Sequence, residues 1–224
     1  MPDPVTLRRS IHRVSWWLDR VTRRTIWRWS SARVLRGIRT AALADPGHVT
    51  ICFRRIEDAL ELIERHDSTT LSRVRAHFDG ILVMGAEPFR VAHWNQAARL
   101  CVITVKYLTA ADTTSAHVAL TLAHESMHAR LCALGVKYEE GRRAVIEVLC
   151  GMAELALARR LPNEPELVMR RGARVTAWAT EGESSWSEAR HVNDSLAYMR
   201  QLGLPAWLVS VVGRVAGVVR RLAA

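Results

Sequence analysis

An α+β fold with helices in the majority is what this 224-residue chain predicts. Two long stretches, roughly 115–134 and 141–161, repeat apolar residues at helical spacing, and each carries its own start and stop residues. Shorter β-branched runs precede them, and both ends of the chain read as amphipathic helices. At 49% hydrophobic residues the chain can bury a sizeable core, as one ordinary domain with extensions or two small ones. The boundaries fall at 1–44, a basic Trp-rich helical extension, 45–162, the central unit, and 163–224, a C-terminal helical region.

Leu7, Ile11, Val14, Leu18 and Val21 recur at alternating steps of four and three, the stripe of an amphipathic helix. Trp16, Trp17, Trp27 and Trp29 interleave with arginines. One reading is a helix suited to an anionic membrane surface, where indoles favour the interface and arginines attract acidic headgroups. The other is a helix packed on the domain with a solvated arginine face. Further along, 48–53 reads as a strand, 56–65 as a helix, and 81–84 and Arg99 to Leu108 as strands. Asp112-Thr113-Thr114-Ser115 suits the start of a helix, Leu131 and Leu134 keep its apolar period, and Gly135 suits the position just past its end. The next helix runs from about Gly141 and is stopped by Pro162. Helices over 165–179 and 186–202 flank a Glu-Gly-Glu-Ser-Ser turn.

The last stretch puts Leu208, Val211, Val215, Val218 and Leu222 on one side, with Gly213 and Gly217 at a small-residue spacing. Arg214 interrupts it, so no transmembrane helix is expected. No secretory signal is evident, although the Arg-rich, acid-poor start is similar to a mitochondrial transit peptide. A cytoplasmic protein, open to peripheral membrane contact, is the expectation. Cys52, Cys101, Cys132 and Cys150 sit in apolar stretches without C-x-x-C spacing and read as buried core residues of a reducing compartment.

Of the formal net charge of +10, residues 1–40 carry +8 and 201–224 carry +3, which leaves the rest at −1. An acid-balanced middle supplies no basic stripe, and nucleic-acid-binding motifs are absent, so no specific nucleic acid partner is expected. Arginine also replaces lysine nearly everywhere, with only Lys106 and Lys137 present, so part of the basicity is compositional.

The chemistry concentrates at His124-Glu125-Ser126-Met127-His128. Imidazoles four apart lie one helical turn from each other, so one face offers two nitrogen ligands while Glu125 points beside a bound metal. A catalytic Zn²⁺ takes three protein ligands from His nitrogen and carboxylate oxygen and leaves one position for water. Glu147, on the second helix, is the choice for the third ligand. Metal binding brings the pKa of water near neutrality, and Glu125 is placed to take the proton.

Over about residues 112–154 this arrangement resembles the gluzincin metallopeptidases, in which His-Glu-x-x-His is followed after eighteen residues by a glutamate ligand. The resemblance implies zinc on His124, His128 and Glu147, Glu125 as general base and acid, and a zincin-like core. It also implies a small antiparallel sheet beside the motif helix, whose edge strand aligns the substrate, with Arg99 to Leu108 at the right place. Tyr138 matches roughly where some gluzincins keep a transition-state tyrosine. The chain departs from the pattern at Gly151, where some members carry an aspartate that orients a ligating histidine; Glu154, two turns from Glu147, is the candidate replacement. Gly85-Ala86-Glu87-Pro88 lacks the Met and Asn of the strand that reads a substrate amine, so aminopeptidase specificity does not follow.

His117, seven residues before His124, is read either as a contact to the site or as a hydrogen-bonded, partly buried histidine. His191, near Asp194, is a candidate oxyanion stabiliser. The expectation is a zinc-dependent metallopeptidase acting on a peptide or protein substrate. The alternative is a non-catalytic, metal-containing adaptor that binds a membrane surface or partner helix through its basic termini. Closure of the fourth zinc position by a protein residue would favour that alternative.

Overall fold

In a computed structural model, which describes residues 4–85, 91–181, 205–207, 210 and 214, the chain is a helix-rich α+β protein. Helix α1 (Pro4–Trp29) leads into a hairpin of β1 (Ser31–Leu35) and β2 (Ile38–Ala42). Helices α2 (Pro46–His66) and α3 (Ser68–His77) follow, then β3 (Gly80–Met84), β4 (Ala92–Asn95) and β5 (Leu100–Thr104). A short α4 (Val105–Thr109) precedes α5 (Ser115–Ala133), α6 (Arg143–Ala158) and α7 (Pro165–Glu181).

The five strands lie in the order β1-β2-β3-β5-β4. Strands β2, β3 and β5 run parallel, whereas β1 and β4 pair antiparallel at the two edges. The sheet is therefore mixed rather than wholly antiparallel. The parallel centre follows from α2 and α3, which carry the chain back over one face between β2 and β3.

Three stretches differ from what the sequence predicts. Residues 48–53 belong to α2, whose start is set by Pro46 in its first turn and whose Cys52, Phe53, Ile56, Ala59, Leu60 and Ile63 are buried along one face. A short run such as Val49-Thr50-Ile51-Cys52-Phe53 reads equally as strand or buried helix, and the packing decides. The β1-β2 hairpin, inside the stretch read as helical extension, turns at Arg36 and Gly37, both at positive φ, which suits a two-residue hairpin turn. Likewise, the strand expected from Arg99 to Leu108 stops at Thr104, whose side chain accepts from the Tyr107 N–H and starts α4.

Helix α5 is the centre of the molecule. Its Val118, Ala119, Leu120, Leu122, Ala123 and Ala129 are buried, and it packs on α2, α3 and α6 with β4 and β5 beside it. The other sheet face is covered by the C-terminal half of α1, where Ile26 and Trp27 lie on Ala41, Leu82, Leu100 and Val102. Gly80 makes that possible, because a β-carbon there would stand 2.7 Å from the Trp27 ring and 2.6 Å from the Arg39 carbonyl oxygen. Asp19 adds a tie, accepting from Asn95 at 2.6 Å and from Arg23 at 2.7 Å; burial works against its charge, but these donors hold its carboxyl below the usual range.

Trp17, Leu18, Val21 and Trp29 stand exposed on the side of α1 away from the sheet. Leu18 and Val21 belong to the apolar stripe read from the sequence, so the helix docks with a different face and leaves these two outward. Among the described residues no helix is long and apolar enough to cross a membrane.

Candidate metal centre

Thr114 starts α5, its hydroxyl accepting from the His117 N–H at 3.3 Å while His117 Nδ1 accepts from the Thr114 N–H at 3.3 Å. His117 is thus a hydrogen-bonded capping residue that also borders the cleft below. Gly135 closes the helix at φ +80°, and the loop beyond it returns the chain to α6. The two imidazoles of α5 and the carboxylate of α6 are brought face to face by this αα-hairpin.

His124 Nε2 and His128 Nε2 are 3.0 Å apart. Glu147 approaches both, with Oε2 3.2 Å from His124 Nε2 and Oε1 3.4 Å from His128 Nε2. Two ligands each about 2.0–2.1 Å from a tetrahedral Zn²⁺ would stand about 3.3 Å apart. The two imidazoles, and each imidazole with its nearer Glu147 oxygen, stand at about that spacing, and all three side chains are nearly buried.

Charge points the same way. Around the imidazoles the fully buried charged side chains are Glu125, Glu147 and Glu154 against Arg171. With neutral imidazoles these four leave two negative charges in excess, lowered to one by the exposed Arg174 on the cleft wall, a balance that still favours a cation. Burial alone would push the Glu147 carboxyl up, but hydrogen bonds from His124 and His128 hold it well below the ordinary carboxylate range. The His128 imidazole is disfavoured as a cation by burial, yet Cys150, Glu147 and the Glu125 charge raise it well above its usual value.

Glu125 sits beside this group with one oxygen accepting the backbone N–H of Trp94 at 2.6 Å. Trp94 lies on β4, so the proposed proton carrier is fastened to the edge strand. The edge strand next to the motif helix is β4, residues 92–95, rather than the Arg99 to Leu108 run, which forms interior β5. Strand alternation turns Ala92 to the same open edge as Trp94, because Val91 faces β5 through its carbonyl bond to the Thr104 N–H at 3.0 Å.

Tyr138, in the link between α5 and α6, donates its hydroxyl to Glu147 Oε1 at 2.5 Å and sets its ring edge against His128. Glu154 lies on the Nδ1 side of His124, although neither His124 Nδ1 nor Glu154 Oε2 makes a hydrogen bond. Its Oε1 lies 3.5 Å from His124 Nδ1, and its Oε2 lies 3.3 Å from Arg171 Nη1 on α7. Gly151 fits the same design: a β-carbon there would meet Val175 at 2.8 Å and Trp178 at 3.0 Å, so glycine lets α7 close over the site.

Cys150 departs from its sequence reading as a core residue alone. It is fully buried, but its sulfur lies within 4.8 Å of ligating atoms of His124 and His128. Burial raises its pKa, with His128 pulling the other way, whereas the imidazoles hold the Glu147 carboxyl low. One helical turn separates it from Glu147, and that spacing was the signal to notice. His191 and Asp194 lie outside the described residues.

A cleft of about 610 Å³ opens on these groups, running from Leu131, Val136 and Ile146 at one end to Arg171, Arg174 and Trp178 at the other. Comparison with protein-family models, with curated proteins and with solved structures gave no match. The functional reading therefore rests on the geometry and chemistry of the site.

Proposed function

We propose that the chain is a zinc-dependent metallopeptidase of the gluzincin type, with His124, His128 and Glu147 as ligands and Glu125 as the proton carrier. The observation that carries this reading is the mutual spacing of the three donors, 3.0, 3.2 and 3.4 Å, beside a carboxylate anchored to an open sheet edge. A bound zinc ion supplies a Lewis acid that polarises a carbonyl and acidifies water. The side chains do the rest. Glu125 accepts a proton and returns it to the leaving amine, and its bond to the Trp94 N–H holds it in place for both transfers. The open edge at Ala92 offers backbone groups to an extended peptide, which favours a peptide over a compact substrate. Tyr138 donates toward Glu147 and stands at the cleft, where its hydroxyl can also meet developing negative charge.

The test is metal content with turnover of a peptide library. Purified protein should carry about one zinc, and Glu125→Gln should keep it while losing about 10²–10⁴ in rate. Glu147→Ala should lower zinc occupancy. Retained turnover in Glu125→Gln removes that residue as the base, and full occupancy in Glu147→Ala transfers the third-ligand role elsewhere.

Cys150 favours a second reading, a closed structural site with sulfur as a fourth ligand in a non-catalytic adaptor. Cobalt substitution separates the two, since a thiolate ligand gives an intense near-ultraviolet charge-transfer band and a carboxylate does not. Peripheral membrane contact through α1 is compatible with either, and the outward Trp17, Leu18, Val21 and Trp29 support it.

A further inference from the structure

At the α7 end of the cleft the charged groups are Arg171, Arg174 and Glu154, with His117 and the Tyr107 hydroxyl nearby. Glu154 has each oxygen turned toward another group, though Oε2 makes no hydrogen bond. One approaches His124 Nδ1 at 3.5 Å and the other Arg171 at 3.3 Å. Arg174 instead stacks its guanidinium over the Trp178 ring at 5.5 Å, and among the described residues it pairs with no carboxylate. Trp178 in turn stands edge-on to His124 with ring centroids 6.2 Å apart. An exposed guanidinium with no carboxylate pair among the described residues thus stands one aromatic ring away from a proposed metal ligand, on the wall of the same cavity.

Stacking fixes the plane of a guanidinium and leaves its in-plane donors available, the arrangement that grips a carboxylate with two parallel hydrogen bonds. Surface arginines stack on tryptophans without any such purpose. Position distinguishes this one, because it borders the reaction cleft and its nearest strong neighbour is another arginine. Arg174 is exposed overall, yet partial desolvation and then the Arg171 charge lower its pKa, with Glu154 and Tyr107 acting the other way.

We infer that Arg174 binds a carboxylate of the peptide substrate close to the reacting carbonyl, so that the enzyme selects acidic peptides or free peptide C-termini. This rests on the hydrolase reading of His124, His128 and Glu147, whose ligand chemistry it does not alter. The terminal carboxylate and an Asp or Glu side chain offer the same group, and the experiment tells them apart.

Binding of the full chain, as purified, is measured by calorimetry for three acetylated tripeptides: one with a free terminal carboxylate, one amide-capped with a central glutamate, and one amide-capped without acid. Zinc content is read on the same samples, so that loss of the metal and loss of acid recognition are seen separately. In the wild type at least one acidic peptide should bind about tenfold or more tighter than the acid-free one, and which one does so identifies the source. Arg174→Gln should bring that ratio near unity, and Arg174→Lys should restore part of it. Equal affinity for acidic and acid-free peptides in the wild type, or a ratio unchanged in Arg174→Gln, overturns the assignment. Zinc still bound in that case leaves the hydrolase reading standing.

Discussion

His124 carries two loads at once: Nε2 faces the cluster of donors, while Nδ1 faces Glu154. The nearby acid favours Nε2 as the nitrogen left free to bind, and Arg171 at 3.3 Å balances the acid's charge. Glu154→Gln should therefore weaken zinc binding by about 10–100-fold without touching a ligand, as read by competition with a chelator. It should also lower stability, because Arg171 would lose its buried counter-ion. Unchanged affinity would remove Glu154 from the site. The sequence made His124, His128, Glu125, Glu147 and Glu154 legible because helical spacing converts directly into a shared face. Cys150 was hidden by its chemistry, since a cysteine in an apolar helix looks the same whether it packs or faces a site. Arg174 was hidden by topology, for nothing in local spacing says that α7 returns over α6.

At the scale of elements, the packing of α6 on α7 and of α5 on β4 decides what the side chains can do. Gly151 is the pivot of the first. Gly151→Ala should drive a methyl into Val175 and Trp178, cost about 1–3 kcal/mol, lower the unfolding midpoint, and loosen the cover over His124. Val175→Ala in the same chain should recover most of that loss, a coupling expected only of side chains in contact. An unchanged midpoint in Gly151→Ala would mean the helices are not so close. Helices α5 and α6 were readable from caps and Pro162, and β3 from its apolar run. Residues 48–53 were not, because the five apolar and β-branched residues after His48 carry no period of their own and α2 absorbed them. The β1-β2 hairpin was obscured by its arginines, although Gly37 after Arg36 marks its turn.

For the whole molecule, charge and apolar surface are separated from chemistry. The central unit holds the cleft, while α1 grips the far sheet face through Ile26 and Trp27 and turns Trp17, Leu18, Val21 and Trp29 outward among arginines. Co-sedimentation should find the chain on vesicles containing phosphatidylserine and not on neutral ones, with release as salt rises; Trp17→Ala with Leu18→Ala should reduce binding. Absence of binding at low salt would end the membrane proposal. The proposed zinc site lies on the other side of the sheet, and X-ray absorption at the zinc edge reads its ligands. About one zinc per chain is expected, with nitrogen and oxygen neighbours at about 2.0–2.1 Å and no sulfur shell at about 2.3 Å. A protein without zinc, or one whose zinc shows a sulfur neighbour, would contradict the proposal.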